Sequence, residues 1–201
     1  GHAAVGGERL IQAAAPLLTA LRDATGETAL LGTLAGNHGV VLDQVPSSHP
    51  VKVVVEIGHA FTLHTAAPAK AMLAHWSPEA QKAFVQQMKF PKHTRHTITS
   101  ATAFLAELKK VQAVGYALDR GEESETFACV AAPVFDHRGD GAGLKGGVLV
   151  CIGDDGRVAC FGNGHLNGGG EFGEERVFQI IDHQTDQSDL GRAQVGGGAV
   201  V

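Results

Sequence analysis

At 201 residues, with 44% hydrophobic residues and a mean hydropathy of +0.03, the chain has the size and balance of one globular domain with a real core. A net charge of −5, with no basic run longer than Lys109-Lys110, argues against nucleic acid as a direct partner, because specific DNA modules neutralise about 6–10 phosphates. No apolar run approaches the roughly 18 residues of a membrane span, and Cys129, Cys151 and Cys160 are widely spaced without a CxxC pair, which argues against a disulfide framework or zinc finger and for a reducing, cytoplasmic setting.

Gly1-His2 without an initiator methionine reads as the remnant of a cleaved tag, so residues 1–9 are assigned to tag and linker. Residues 10–185 are assigned to the domain and residues 186–201, with their glycine run, to a disordered tail. Leu10, Ala14, Leu17, Leu18 and Leu21 recur at helical spacing, and Gly26 stops that helix. Residues 28–34 and 40–45 read as two strands joined by the turn-rich Ala35-Gly36-Asn37-His38-Gly39. Pro46 to Pro50 breaks the sheet, and the Val-rich run 51–56 is expected to be a third strand.

The stretch Leu63-His64-Thr65-Ala66-Ala67-Pro68-Ala69-Lys70-Ala71-Met72 follows. Thr65 is placed to cap a helix, and Pro68 fits only in the first turn, where its missing N–H costs no intrahelical bond. Small residues at 66, 67, 69 and 71 leave room above the helix start, so the stretch fits either the floor of a small-acid pocket or an alanine face packed on a sheet.

Ser77-Pro78-Glu79 opens another helix, expected to reach Met88, with Phe84 and Met88 on its apolar face. A further helix spans 101–114, with Phe104, Leu108 and Val111 on one face and Gly115 as its stop. Residues 126–134 read as a strand, followed by a tight turn over 136–140. Residues 148–152 and 157–161 read as a paired hairpin around Asp154-Asp155-Gly156, 162–170 as a glycine-rich loop and 174–182 as a helix or strand. The order of elements predicts an α+β domain with a largely antiparallel sheet.

Five local signatures then coincide in order. They are Asp23-Ala24-Thr25-Gly26-Glu27-Thr28; Gly58 with Leu63-His64-Thr65-Ala66 and Lys70-Ala71; Thr94-Arg95-His96-Thr97; Gly115-Tyr116-Ala117-Leu118-Asp119 with Glu122; and Cys129-Val130-Ala131-Ala132-Pro133 with Gly139. Over residues 10–139 the chain resembles the effector-binding domain of the IclR family of bacterial transcriptional regulators. The resemblance implies a GAF/profilin-like antiparallel sheet flanked by helices. It implies a small-molecule pocket without a cofactor, assembly into homodimers or homotetramers, and operator binding through a winged helix-turn-helix domain that this chain lacks.

Carried over by position, the resemblance implies an effector-binding set of His64, Ala66, Ala67, Pro68, Asp119, Cys129 and Cys151. Ala67 and Pro68 stand where glyoxylate-responsive members have Gly-Ala, so one backbone donor is lost. The family's Ser-x-Ser pair falls on 150–152 or 162–164, and neither register supplies a serine.

The residues themselves leave other readings open. Cys129 fits a buried inert thiol, a pocket wall or, with His64 or His59, the nucleophile of a hydrolase. Asp119 fits a surface charge or a ligand contact, His64 a structural or a pocket histidine, and Trp76 core packing. The turn from His93 to His96 reads as solvated and basic, and His59, His64 and Cys129 lack metal-ligand spacing. A third reading is an oligomerisation module whose pocket has degenerated.

Overall fold

The computed structural model describes the backbone of residues 2–126, 128–135, 148–153, 157–162, 164–165 and 177–182, and the side chains of residues 8, 10–126 and 128–135. The elements are α1 (His2–Thr25), β1 (Thr28–Ala35), β2 (His38–Val45), β3 (Ala60–Phe61), α2 (Ala67–Leu73), α3 (Pro78–Val85), α4 (Ala101–Val114), β4 (Ala117–Arg120), β5 (Ala128–Phe135), β6 (Val148–Gly153), β7 (Arg157–Gly162), β8 (Gly164–His165) and β9 (Val177–Asp182). The main sheet has the order β3-β2-β1-β6-β5-β4 and is antiparallel along that path, while β8 joins β5 in parallel.

The period-2 alternation of β1 and β5 sorts residues onto two faces. Ala29, Leu31, Val130, Ala132 and Val134 meet Leu10, Ala14, Leu17, Leu18 and Leu21 of α1. Leu30, Cys129 and Ala131 face the other way, against Ala67 and Ala71 of α2 and Phe104, Leu108 and Val111 of α4. Leu18, Leu21, Leu31 and Leu108 are fully buried, each contributing about 1.5–3 kcal/mol of hydrophobic stabilisation. The sheet therefore divides two cores, one under α1 and one under α2 and α4. This α+β arrangement, an antiparallel sheet with helices on both faces, is the class expected from the order of elements.

α1 begins at His2, well ahead of the first apolar position read from spacing, and carries Pro16 inside it. Gly26 follows with φ of 77°, a left-handed conformation that glycine adopts without penalty. α4 matches its expected bounds: the Ser100 hydroxyl accepts the N–H of Ala103, and Gly115 closes the helix at φ of 86°. α3 starts on a Ser77 cap but stops at Val85, short of Met88. Its last N–H groups, on Gln87 and Met88, turn to carbonyls three residues back, which tightens and ends the helix.

Three expectations need correction. Residues 51–56 form no strand, and Val51 and Val54 are exposed. The Gln44 side chain takes the partner's place: its Nε2 donates to the Val55 carbonyl and its Oε1 accepts the Val55 N–H. The Thr28 hydroxyl adds a 2.6 Å bond to the Val53 carbonyl. One amide side chain thus satisfies both backbone groups of Val55, as a strand ladder would have done.

Residues 148–152 and 157–161 are indeed extended, but they are not partners of each other. β6 inserts between β1 and β5, and β7 pairs with β9 in a second, two-stranded sheet. The third correction concerns Thr65, which does not cap α2: the cap is Ala66, without a side-chain bond. Residues 177–182 resolve to strand β9. The turn at 136–140, most of the loop at 162–170 and the tail at 186–201 lie outside the described residues.

Candidate functional site

The small residues that open α2 do leave a space. A cavity of about 190 Å³ lies between α2 and the sheet. Ala66, Ala67 and Pro68 form one side; Leu30, Val41 and Cys129 of the sheet form the opposite side. Val55, His59, Ala60, Phe61 and Thr62 close it from the connection between β2 and α2, and Thr65, Asp119 and Glu123 supply polar groups. Pro68 occupies the first turn of α2, as expected, and cannot donate a hydrogen bond into the space.

Phe61 reaches the wall because of two glycines. Gly32 and Gly39 lie beneath its ring, and a Cβ on Gly32 would stand 3.1 Å from Cε1 of Phe61. A Cβ on Gly39 would collide with the same ring. The paired strands are therefore bare where the aromatic ring rests on them.

Asp119, at the end of β4, is 2% exposed. Its Oδ1 accepts the N–H of Glu122 at 2.7 Å. Burial pushes its carboxyl up to about 6, and that backbone bond only partly offsets the rise. Behind Asp119, the fully buried Lys70 donates to the Leu118 carbonyl at 2.5 Å and to Oε1 of Glu122 at 2.5 Å. Burial raises the Glu122 carboxyl as well, against the pull of the Lys70 charge. Lys70 thereby ties α2 to the end of β4, two elements that contribute to the cavity wall.

The β4–β5 loop is fixed from below. The Thr97 hydroxyl donates to the Glu122 carbonyl at 2.7 Å, and the Thr94 hydroxyl to the Gly121 carbonyl at 2.7 Å. The turn from His93 to His96 was expected to be basic and solvated. Arg95 and His96 are exposed, but the two threonines beside them are structural pins. The loop then presents Glu123, whose Oε2 accepts the Thr65 hydroxyl.

Of the positions singled out in the sequence, Ala66, Ala67, Pro68, Asp119 and Cys129 converge on this cavity. His64 does not, and the side chain of Cys151 lies outside the described residues. His64 is buried outside the wall, with Nε2 donating to the Pro91 carbonyl at 2.9 Å and its ring edge-on to Phe90. Burial lowers its pKa, so it is a neutral structural histidine at neutral pH. Cys151 pairs across the sheet with Ala29 and Val130, both members of the α1-side core, so its register position is on the face opposite Cys129.

With His64 committed to Pro91, a pair of Cys129 with His64 lacks its base, while His59, the other histidine considered, lines the cavity with Cys129. The open cavity likewise removes the support for a degenerate, filled pocket. No group of three or more His, Cys, Asp or Glu suited to a metal occurs among the described residues. Trp76 packs edge-on to Phe84, with ring centroids 5.1 Å apart.

Sequence reasoning missed Glu123, Phe61, Val41 and Leu30 as wall residues. Phe61 had a legible signal in the glycines at 32 and 39, one on each of the paired strands β1 and β2. Glu123 had none beyond its neighbour Glu122.

Comparison with known proteins agrees with this architecture. The model of the bacterial transcriptional regulator IclR C-terminal family matches residues 2–144. The chain belongs to the IclR family. Among IclR-type relatives, the HTH-type transcriptional regulator BhcR of Paracoccus denitrificans is 36% identical over 133 residues, covering 66% of this chain and 48% of that protein. XynR of Escherichia coli is 32% identical over 163 residues, covering 80% of this chain and 64% of that protein. The chain spans about half the length of most of the curated relatives it matches.

The crystal structure of the C-terminal domain of E. coli KdgR superimposes with a TM-score of 0.64 at 29% identity, covering 73% of this chain and 82% of that one. The Thermotoga maritima IclR structure gives 0.68 at 26% identity, covering 77% and 62%. The relatives are transcriptional regulators rather than enzymes. No helix among the described residues is long and apolar enough to cross a membrane.

Proposed function

We propose that this IclR C-terminal domain is the sensor half of a cytoplasmic transcriptional regulator, and that the cavity between α2 and the sheet receives a small carboxylic acid metabolite. The observation that carries the reading is the convergence of Ala66, Ala67, Pro68, Asp119 and Cys129, residues from three separate elements, on one cavity. At the level of the fold, an IclR homologue from Microbacterium hydrocarbonoxydans is described in complex with 4-hydroxybenzoate, so the architecture houses acids of this size.

Effector binding at α2 and β4 alters the sheet, α1 packs on the opposite face of that sheet, and α1 leads toward the segment where a winged helix-turn-helix would precede it. Coupling of this kind typically amounts to about 1–3 kcal/mol, and the ligand must bind the DNA-competent and DNA-incompetent states unequally. The regulator acts on operator DNA as a homodimer or homotetramer.

The test joins this domain to its genomic upstream coding segment and measures operator binding with and without metabolite acids. A several-fold change in operator affinity with at least one acid is the expected result. Operator affinity indifferent to every acid that binds the domain would overturn the coupling.

A further inference from the structure

Among the described residues, the wall of the cavity is acidic and contains no lysine or arginine. Asp119 and Glu123 are its charged groups among those residues, and His59 is the one described wall side chain able to carry a positive charge. Lys70, whose charge acts on Asp119, has its ammonium engaged by the Leu118 carbonyl and Glu122 and does not line the cavity. Pro68 offers no N–H, and the Thr65 hydroxyl proton is committed to Glu123. The side of the cavity formed by Asp119 and Glu123 is therefore a set of acceptors, which receives hydroxyl donors and repels a carboxylate placed against it.

Resting on the sensor reading above, we infer that Glu123, held at the wall by Thr65, is a specificity-determining residue that admits hydroxylated ligands with at most one negative charge and rejects dicarboxylates. A hydroxylated ligand satisfies the Asp119 and Glu123 oxygens, while a single carboxylate points away from them toward His59 and Thr62. A second carboxylate meets Asp119 or Glu123 with no cation among the described wall residues to compensate it. Glu123 is exposed, so its carboxylate is held in place by Thr65 and by the loop that Thr94 and Thr97 pin, not by burial.

Isothermal titration of the whole chain tests this. One arm uses hydroxylated probes, ribitol, ribonate and 4-hydroxybenzoate; the other uses the dicarboxylates succinate and glutarate. Both arms are repeated on Glu123→Gln, whose exposed position and unchanged size leave the fold intact. The expected result is binding of at least one hydroxylated probe about tenfold or more tighter than either dicarboxylate, with that ratio falling several-fold in Glu123→Gln. Dicarboxylates binding as tightly as the hydroxylated probes, or a ratio unchanged in Glu123→Gln, overturns the inference and leaves the sensor reading standing. Failure of every probe in both arms overturns the inference and removes support from the sensor reading with it.

Discussion

The ammonium of Lys70 lies 2.5 Å from Oε1 of Glu122, with Lys70 wholly buried and the Glu122 side chain 9% exposed. A charge this deep is tolerated only because its partner and the Leu118 carbonyl satisfy it. Lys70→Met removes the cation and leaves Glu122 buried without its counter-charge. The expected cost is about 3–5 kcal/mol of unfolding free energy, read from urea denaturation. Lys70→Met combined with Glu122→Leu should cost much less than the two single changes added together. Simple additivity would show that the pair does not act as a unit.

Asp119 gives a pH dependence with a definite sign. Its folded pKa, about 6, lies above the ordinary carboxylate value, so the folded state holds its proton over a range where the unfolded state has lost it. Stability from this group is greatest in acid and declines as pH rises from about 4 through about 6. His64 acts in the opposite direction: its lowered pKa means that stability is lost as pH falls below its ordinary value of 6.5. The comparison of wild type with Asp119→Asn isolates the first effect. The variant should gain on the wild type by up to about 3 kcal/mol as pH is raised from 4 to 7, measured by urea unfolding at each pH. A difference independent of pH would show that Asp119 is not desolvated as described.

Gly39 supports the pocket from outside it. Gly39→Ala places a methyl group where the Phe61 ring lies, and the ring is the movable partner. The expected result is an overpacking cost of about 1–3 kcal/mol and a displaced Phe61, with weaker binding of whichever small acid the wild type takes. Melting curves with and without that acid check both. Unchanged stability and unchanged binding would mean that the ring does not rest on the glycines.

The parts of this molecule set by local periodicity and capping were legible in the sequence. α4, with Ser100 at its start and Gly115 at its end, follows from residues within one turn of its boundaries. What was not legible came from side chains acting at a distance. Nothing near Val55 announces that Gln44, eleven residues earlier, will take over its backbone bonds. Thr65 has the chemistry of a cap, but Glu123, brought close by the β4–β5 loop, offers its hydroxyl a charged acceptor instead. The Asp-Asp-Gly turn signal between β6 and β7 was local, whereas strand pairing was decided by the free edges of β1 and β5. The candidate site divides the same way. Alanines and a proline marked one wall in the sequence, while the opposing wall exists only once the sheet has formed.

Ala66 offers the most direct test of the sensor reading. It lines the cavity and already serves as a helix cap without a side-chain bond, so Ala66→Leu fills the space without removing a cap. The decisive measurement is the melting temperature of wild type and Ala66→Leu in parallel, with and without each member of a metabolite acid panel. A ligand present at about 100 times its Kd stabilises the folded state by about 2.7 kcal/mol, and each kcal/mol raises the melting point of a domain this size by about 2–4 °C. The account predicts a rise of several degrees for wild type with at least one acid and none for Ala66→Leu, whose own unliganded melting point stays near that of wild type. An acid that stabilises both proteins equally would place its binding elsewhere and contradict the account.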